Sequence, residues 1–183
     1  MEKKRNMALG FLFGAAVLIA FGVLYRDWWS GQIFHNGEVS IGVRSVQFCV
    51  EGECETQPLS VLAGTEHGGW ATTGSILFFV GLATSLILAV AGGLFLAGKD
   101  PKLPMAPTTA SFLLSAAVVI LTFVFVMLKP KELHGTGMQG GLSLFPTAGG
   151  AILGVLGSVM LAKLRADQDR VAWQASLGGP EAG

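Results

Sequence analysis

Four long apolar runs separated by polar stretches set the pattern of this chain. The first, Met7 to Tyr25, carries no charge and at ~1.5 Å rise per residue is long enough to cross a hydrocarbon core of ~30 Å. Residues 70–97, 108–128 and 145–164 repeat the pattern. The spacing predicts an all-α membrane protein: a four-transmembrane-helix bundle forming one domain over residues 1–177, with a short flexible tail at 178–183. Polar residues 26–69 and 129–144 then form two loops on one side of the membrane, and residues 98–107 a loop on the other. The basic start of the chain followed by an apolar run also describes a signal peptide. Here, however, Gly22-Val23-Leu24-Tyr25 leads straight into Arg26-Asp27-Trp28-Trp29 with no small-x-small cleavage site, so the segment reads as a retained span.

The first polar loop alternates at a period of two. Asn36-Gly37 is a turn signal, Val39, Ile41 and Val43 alternate with polar residues, and Val46, Phe48 and Val50 alternate again in shifted phase. The slip at Arg44-Ser45 marks a bulge or a turn. A small antiparallel sheet of three or four strands is expected, with Glu51-Gly52 at the tip of its last hairpin and Cys49 opposite Cys54. The second polar loop has no period of its own and is expected to be flexible. Trp28, Trp29 and Trp70 bracket the first loop, where amphipathic rings favour the membrane interface, and read as interface anchors.

Small residues recur every four positions in two of the spans: Gly81, Ser85, Ala89, Gly93 and Ala97 in the second, and Gly150, Gly154, Ser158 and Ala162 in the fourth. Gly10 and Gly14 give the first span a shorter version. Such ladders let helix backbones approach closely, so spans one, two and four are expected to pack tightly, while the bulky, β-branched third span is expected to face lipid over much of its girth. Lys163 to Leu177 continues the fourth helix beyond the membrane.

Composition sharpens this picture. The chain is 51% hydrophobic and only 13% charged, outside the range of soluble domains. Its net charge is zero and no basic cluster is interleaved with aromatics, which argues against nucleic acid as a partner and leaves the lipid bilayer as the expected one. Lys3, Lys4, Arg5, Lys99, Lys102, Lys163, Arg165 and Arg170 outnumber the basic residues of the other side, which places both termini in the cytoplasm of a cell-membrane protein. The cysteine loop is then extracytoplasmic, where a disulfide persists.

Candidate chemistry is sparse. No ionisable residue lies inside a span, which counts against ion-coupled transport. His35, His67 and His134 fall in loops or at a span edge, unsuited to haem ligation between helices and without zinc spacing, so no metal or cofactor is expected. Cys49 and Cys54 form one pair with acidic neighbours that disfavour a thiolate, so a structural disulfide is preferred over a redox centre. The reading that follows is a non-enzymatic structural, adhesion or accessory-subunit protein, working as a homo-oligomer or within a larger membrane complex. Arg44, Phe48, Glu51 and Glu53 are the expected partner contacts. The alternatives are a membrane thiol-disulfide oxidoreductase using Cys49 and Cys54, or a passive channel subunit, for which no selectivity filter is visible.

Four spans, a long first loop of β character, a shorter second loop, a tryptophan soon after the first span (Trp28 or Trp29) and the paired loop cysteines Cys49 and Cys54 resemble the claudin and peripheral-myelin-protein-like tetraspan superfamily. Ahead of the first cysteine the sequence has Gly42-Val43-Arg44 where that family has Gly-Leu-Trp. The cysteine spacing is shorter than in claudins, no arginine precedes the second span, and the chain ends Pro180-Glu181-Ala182-Gly183 without a claudin-like PDZ-binding terminus. The resemblance implies lateral oligomerisation or an accessory-subunit role.

Overall fold

The computed structural model describes residues 2–33, 37–65, 67–97, 106–129 and 139–177. Its four long helices are α1 (Glu2–Leu24), α2 (Gly68–Leu96), α3 (Ala106–Met127) and α4 (Leu144–Leu177). Each contains a stretch long and apolar enough to cross a membrane, as the hydrophobic runs require. Helix α1 packs on α2 and α4, and α3 packs on the same two, so α1 and α3 stand on the diagonal of a square bundle. The centre is filled by Leu12, Ile19, Leu77, Leu88, Val118 and Leu161. As expected, α4 runs on as one helix past the apolar stretch, to Leu177.

Five strands cover one end of the bundle in the order β4-β3-β2-β1-β5. The first loop supplies β1 (Trp29–Ile33), β2 (Gly37–Ile41), β3 (Ser45–Val50) and β4 (Glu53–Pro58), and a 3-10 turn at Leu59–Gly64 leads into α2. The phase slip is a turn. Ile41 pairs with Val46 across Gly42 to Ser45, the Gly42 amide donates to the Ser45 carbonyl at 2.8 Å, and Val43 drops into the core. Directly opposed residues share a face, so Trp29, Val39, Ile41 and Val46 form the face turned to the bundle, while Ser30, Ser40, Gln47 and Thr56 form the other.

The end of the second loop departs from the flexible reading. Its Gln139–Gly140 is strand β5, paired to Ser30 and Trp29 of β1, and the Gly141 amide donates to the Trp28 carbonyl at 2.8 Å. The Asp27 carbonyl accepts from the Ser143 amide at 2.9 Å, one residue before α4 begins. A Cβ on Gly141 would meet the Asp27 backbone, so only glycine permits this approach. The closure has no periodic signature because it depends on two peptide segments, 115 residues apart, meeting edge to edge.

The small residues of the ladders fall in two settings. Gly81 lies against Val23 and Ile19, Ser85 donates a 2.7 Å hydrogen bond to the Ala16 carbonyl across the α1–α2 contact, and Ala89 packs against the core. Gly150 abuts Leu18 and Ile19 of α1, Gly154 abuts Ser115 of α3 and Leu88 of α2, and buried Ser158 donates to the Gly154 carbonyl of its own helix. Gly10, Gly14 and Gly93, by contrast, have open space where a Cβ would sit and take no part in helix approach. For Gly93 the reason is geometric: at about 100° per residue, an every-four ladder drifts about 40° per step and has left the contact three steps beyond Gly81. Gly92 against Phe13, and Gly157 against Leu12 and Phe11, take up the close approach instead.

Helix α3 exposes the large apolar side chains Leu113, Ile120, Phe123 and Met127. Its buried face is unexpectedly polar, running Thr108, Ser111, Ser115, Val118, Thr122 and Phe125 at helical spacing. Small hydroxyl residues fit this face because Ser115 must sit against Gly154 with no room for a larger side chain.

Candidate functional site

The disulfide hairpin forms as its sequence dictates. Cys49 and Cys54 are directly opposed and bonded, with Cα atoms 4.1 Å apart, the spacing of a pair without mutual backbone hydrogen bonds. Val50 and Glu53 close the two-residue tip. Glu51 and Gly52 both take positive φ, 52° and 89°, the backbone of the turn whose twist matches the flanking strands. Closing so short a loop stabilises the hairpin by about 2 kcal/mol. Replacing both cysteines by serine is therefore expected to lower stability by about that amount in thermal unfolding followed by circular dichroism, with helix content unchanged, because the bond ties only β3 to β4.

The hairpin overhangs the bundle. Phe48 and Val50 continue the apolar face of the sheet but have lost the cover that buries Val39 and Ile41, and are 40% and 58% exposed. Glu53, Glu55 and Gln57 lie beside them on the same face of β4, every residue of which is exposed. β4 is also the outer strand, so its second edge is unpaired among the described residues. Hydrogen bonding alternates from the hairpin tip, which turns the backbone groups of Cys54 and Thr56 to that open edge.

Of the four expected contact residues, Phe48, Glu51 and Glu53 share this overhang and Arg44 does not. Arg44 sits at the opposite end of β3, roughly 20 Å away at strand rise, with its guanidinium carbon 4.6 Å from the Phe78 ring centroid and 5.5 Å from that of Phe79. The turn that the phase slip encodes carries it down onto α2.

The three tryptophans are not displayed to the membrane interface. Trp28, Trp29 and Trp70 are 0%, 4% and 3% exposed and cluster around fully buried Phe125 of α3, with ring centroids 5.1 to 5.5 Å from it. The Trp28 indole donates to the Gly22 carbonyl at 2.7 Å. This aromatic plug joins the sheet to the bundle, its rings filling the space where α1 ends and β1 begins. Lys129 lies over Trp29 at 5.9 Å, and its burial there lowers its pKa below the ordinary lysine value. Sequence reasoning missed Phe125, which looked like one more lipid-facing residue.

His67 precedes α2, while His35, His134 and the tail lie outside the described residues. Among the described residues no group of three or more His, Cys, Asp or Glu side chains is placed to hold a metal ion. A concavity of about 630 Å³ at the opposite end of the bundle has a mixed charged rim of Glu2, Lys4, Arg5, Asp167 and Arg170 over Phe95 and Leu164. Comparison of the chain with protein-family models and with curated protein sequences finds no match. The four apolar helices are compatible with an integral, multi-pass membrane protein.

Proposed function

We propose that this is a non-enzymatic four-span membrane protein of the cell membrane, with both termini cytoplasmic, whose disulfide-pinned sheet docks another protein outside. The observation that carries the reading is the overhanging hairpin, in which an apolar strip of Phe48 and Val50 lies next to an open β4 edge. An edge of this kind accepts a partner strand through backbone pairing, while the apolar strip and Glu53 and Glu55 select its side chains. The partner is a second copy or a subunit of a larger membrane complex. The layout resemblance to the claudin and peripheral-myelin-protein-like superfamily supports lateral assembly of this sort, and the excess of basic residues at the termini supports the orientation.

The test uses Thr56→Pro, which removes an amide from the open edge and leaves the β3 pairing intact, beside the face variant Phe48→Ser. In membranes solubilised in mild detergent and cross-linked, both variants are expected to reduce complexes at least several-fold, an effect of about 1–2 kcal/mol at a docking contact. Undiminished complexes in both, with the hairpin disulfide intact, would reject the sheet as the docking surface.

A further inference from the structure

Beside the sheet end of α1 and α2 lies a pocket of about 390 Å³, which meets the docking strand β4 only at Thr56 and Pro58. Its lining includes Tyr25, Arg26, Arg44, Thr56, Pro58 and Phe78, and among the described residues the only charged side chains in it are the two arginines. These residues come together because Gly42 has no Cβ. One placed there would lie 3.2 Å from the Arg26 Cα and 3.3 Å from its carbonyl, so glycine lets the β2–β3 turn lie directly on the chain leaving α1. The Leu59 amide then holds the Arg44 carbonyl at 2.6 Å.

Neither guanidinium makes an ion pair among the described residues. Of the Asp27 carboxylate, next to Arg26 in sequence, one oxygen accepts from the Leu142 amide at 3.4 Å and the other is buried without a hydrogen-bond partner, while Glu55 accepts from the Gln57 side chain at 3.0 Å. Arg44 rests on Phe78, which fixes its position while leaving its in-plane N–H donors available.

The depth of the pocket identifies its ligand. Gly81 of α2 packs against Val23, so Phe78 is level with the end of α1 at Leu24, one residue before the first apolar run stops at Tyr25. Around this level Phe21, Leu24, Ile76 and Phe79 are exposed, at 47%, 60%, 46% and 62%. Two unpaired arginines therefore stand at the rim of an apolar helical flank, the arrangement in which a guanidinium meets a lipid phosphate.

We propose that the Arg26–Arg44 pocket binds the phosphate of a membrane phospholipid, whose acyl chains lie along the exposed flank of α1 and α2. Lipid held there would pack under the β2–β3 turn and brace the sheet against the bundle. This proposal rests on the membrane-spanning reading of the helices and not on the docking role of β4.

The test is native mass spectrometry of the full chain in detergent, titrated separately with dioleoylphosphatidylglycerol, with dioleoylglycerol, which lacks the phosphate, and with inorganic phosphate. The wild-type chain is expected to retain dioleoylphosphatidylglycerol and neither of the others. R26Q/R44Q is expected to weaken retention about tenfold, as the loss of charge-assisted hydrogen bonds implies, whereas the triple variant K3Q/K4Q/R5Q at the other end is expected to match wild type. If the double variant does not fold, R26Q and R44Q singly are each expected to weaken retention about threefold. Retention unchanged by the arginine substitutions, equal retention of dioleoylglycerol, equal binding of inorganic phosphate, or an equal loss with the triple variant would each overturn the proposal. Failure of the chain to partition into detergent micelles would instead overturn the membrane reading beneath it.

Discussion

Trp28→Ala is expected to be among the most damaging single substitutions in the chain, lowering stability by about 4 kcal/mol in reversible unfolding followed by tryptophan fluorescence or circular dichroism. Trp28 is fully buried and packs edge-on against Phe125 at 5.5 Å, with Trp29 at 6.2 Å. Truncation leaves a cavity bounded by rigid rings that cannot collapse into it. The same change strands the Gly22 carbonyl, which accepts the indole N–H at 2.7 Å in a buried setting. Trp28→Phe separates the two effects, because it keeps most of the ring volume and loses the donor. It is expected to cost about 1–2 kcal/mol, and a cost equal to that of alanine would show that the hydrogen bond, not the packing, dominates.

Gly22→Val should be almost as severe, at about 3 kcal/mol, whereas Gly14→Val should fall within about 0.5 kcal/mol of wild type. Both are glycines of α1, and both sit in an apolar run. A Cβ on Gly22 would lie 2.8 Å from the Ser143 carbonyl and 2.9 Å from the Thr147 amide, so backbone must move at the point where α4 begins. Gly14 has open space around the same position. Matched stability measurements on the two variants check the assignment. Equal costs would mean that helix propensity, and not the α1–α4 contact, governs these glycines.

The hairpin was legible residue by residue. The alternation of Phe48 and Val50, the Glu51-Gly52 tip and the cysteine spacing all report local backbone geometry, and the strands pair with Cys49 opposite Cys54 as that geometry demands. Position of the hairpin against the bundle was not legible. Alternation says that Val39 and Phe48 share a face, but only the reach of the helices beneath decides that Val39 is covered and Phe48 overhangs. The two-arginine pocket was hidden for a similar reason, since Arg26 and Arg44 line it from a helix end and a turn 18 residues apart, where Gly42 lies close on the Arg26 backbone.

By itself the sequence determined the four apolar helices, their near-complete lengths, the β character of the first loop and the disulfide, because each follows from hydrophobic period, run length or a turn of a few residues. Tertiary structure alone decided which way the tryptophans face, which glycines bear a neighbouring backbone, and that Gln139–Gly140 joins the sheet. Those outcomes depend on groups far apart in the chain. A tryptophan beside an apolar run can satisfy its amphipathic ring at a lipid headgroup or in a buried cluster, and here Phe125, on another helix, packs the Trp28 ring while the Gly22 carbonyl accepts its N–H, partners that no local pattern reveals.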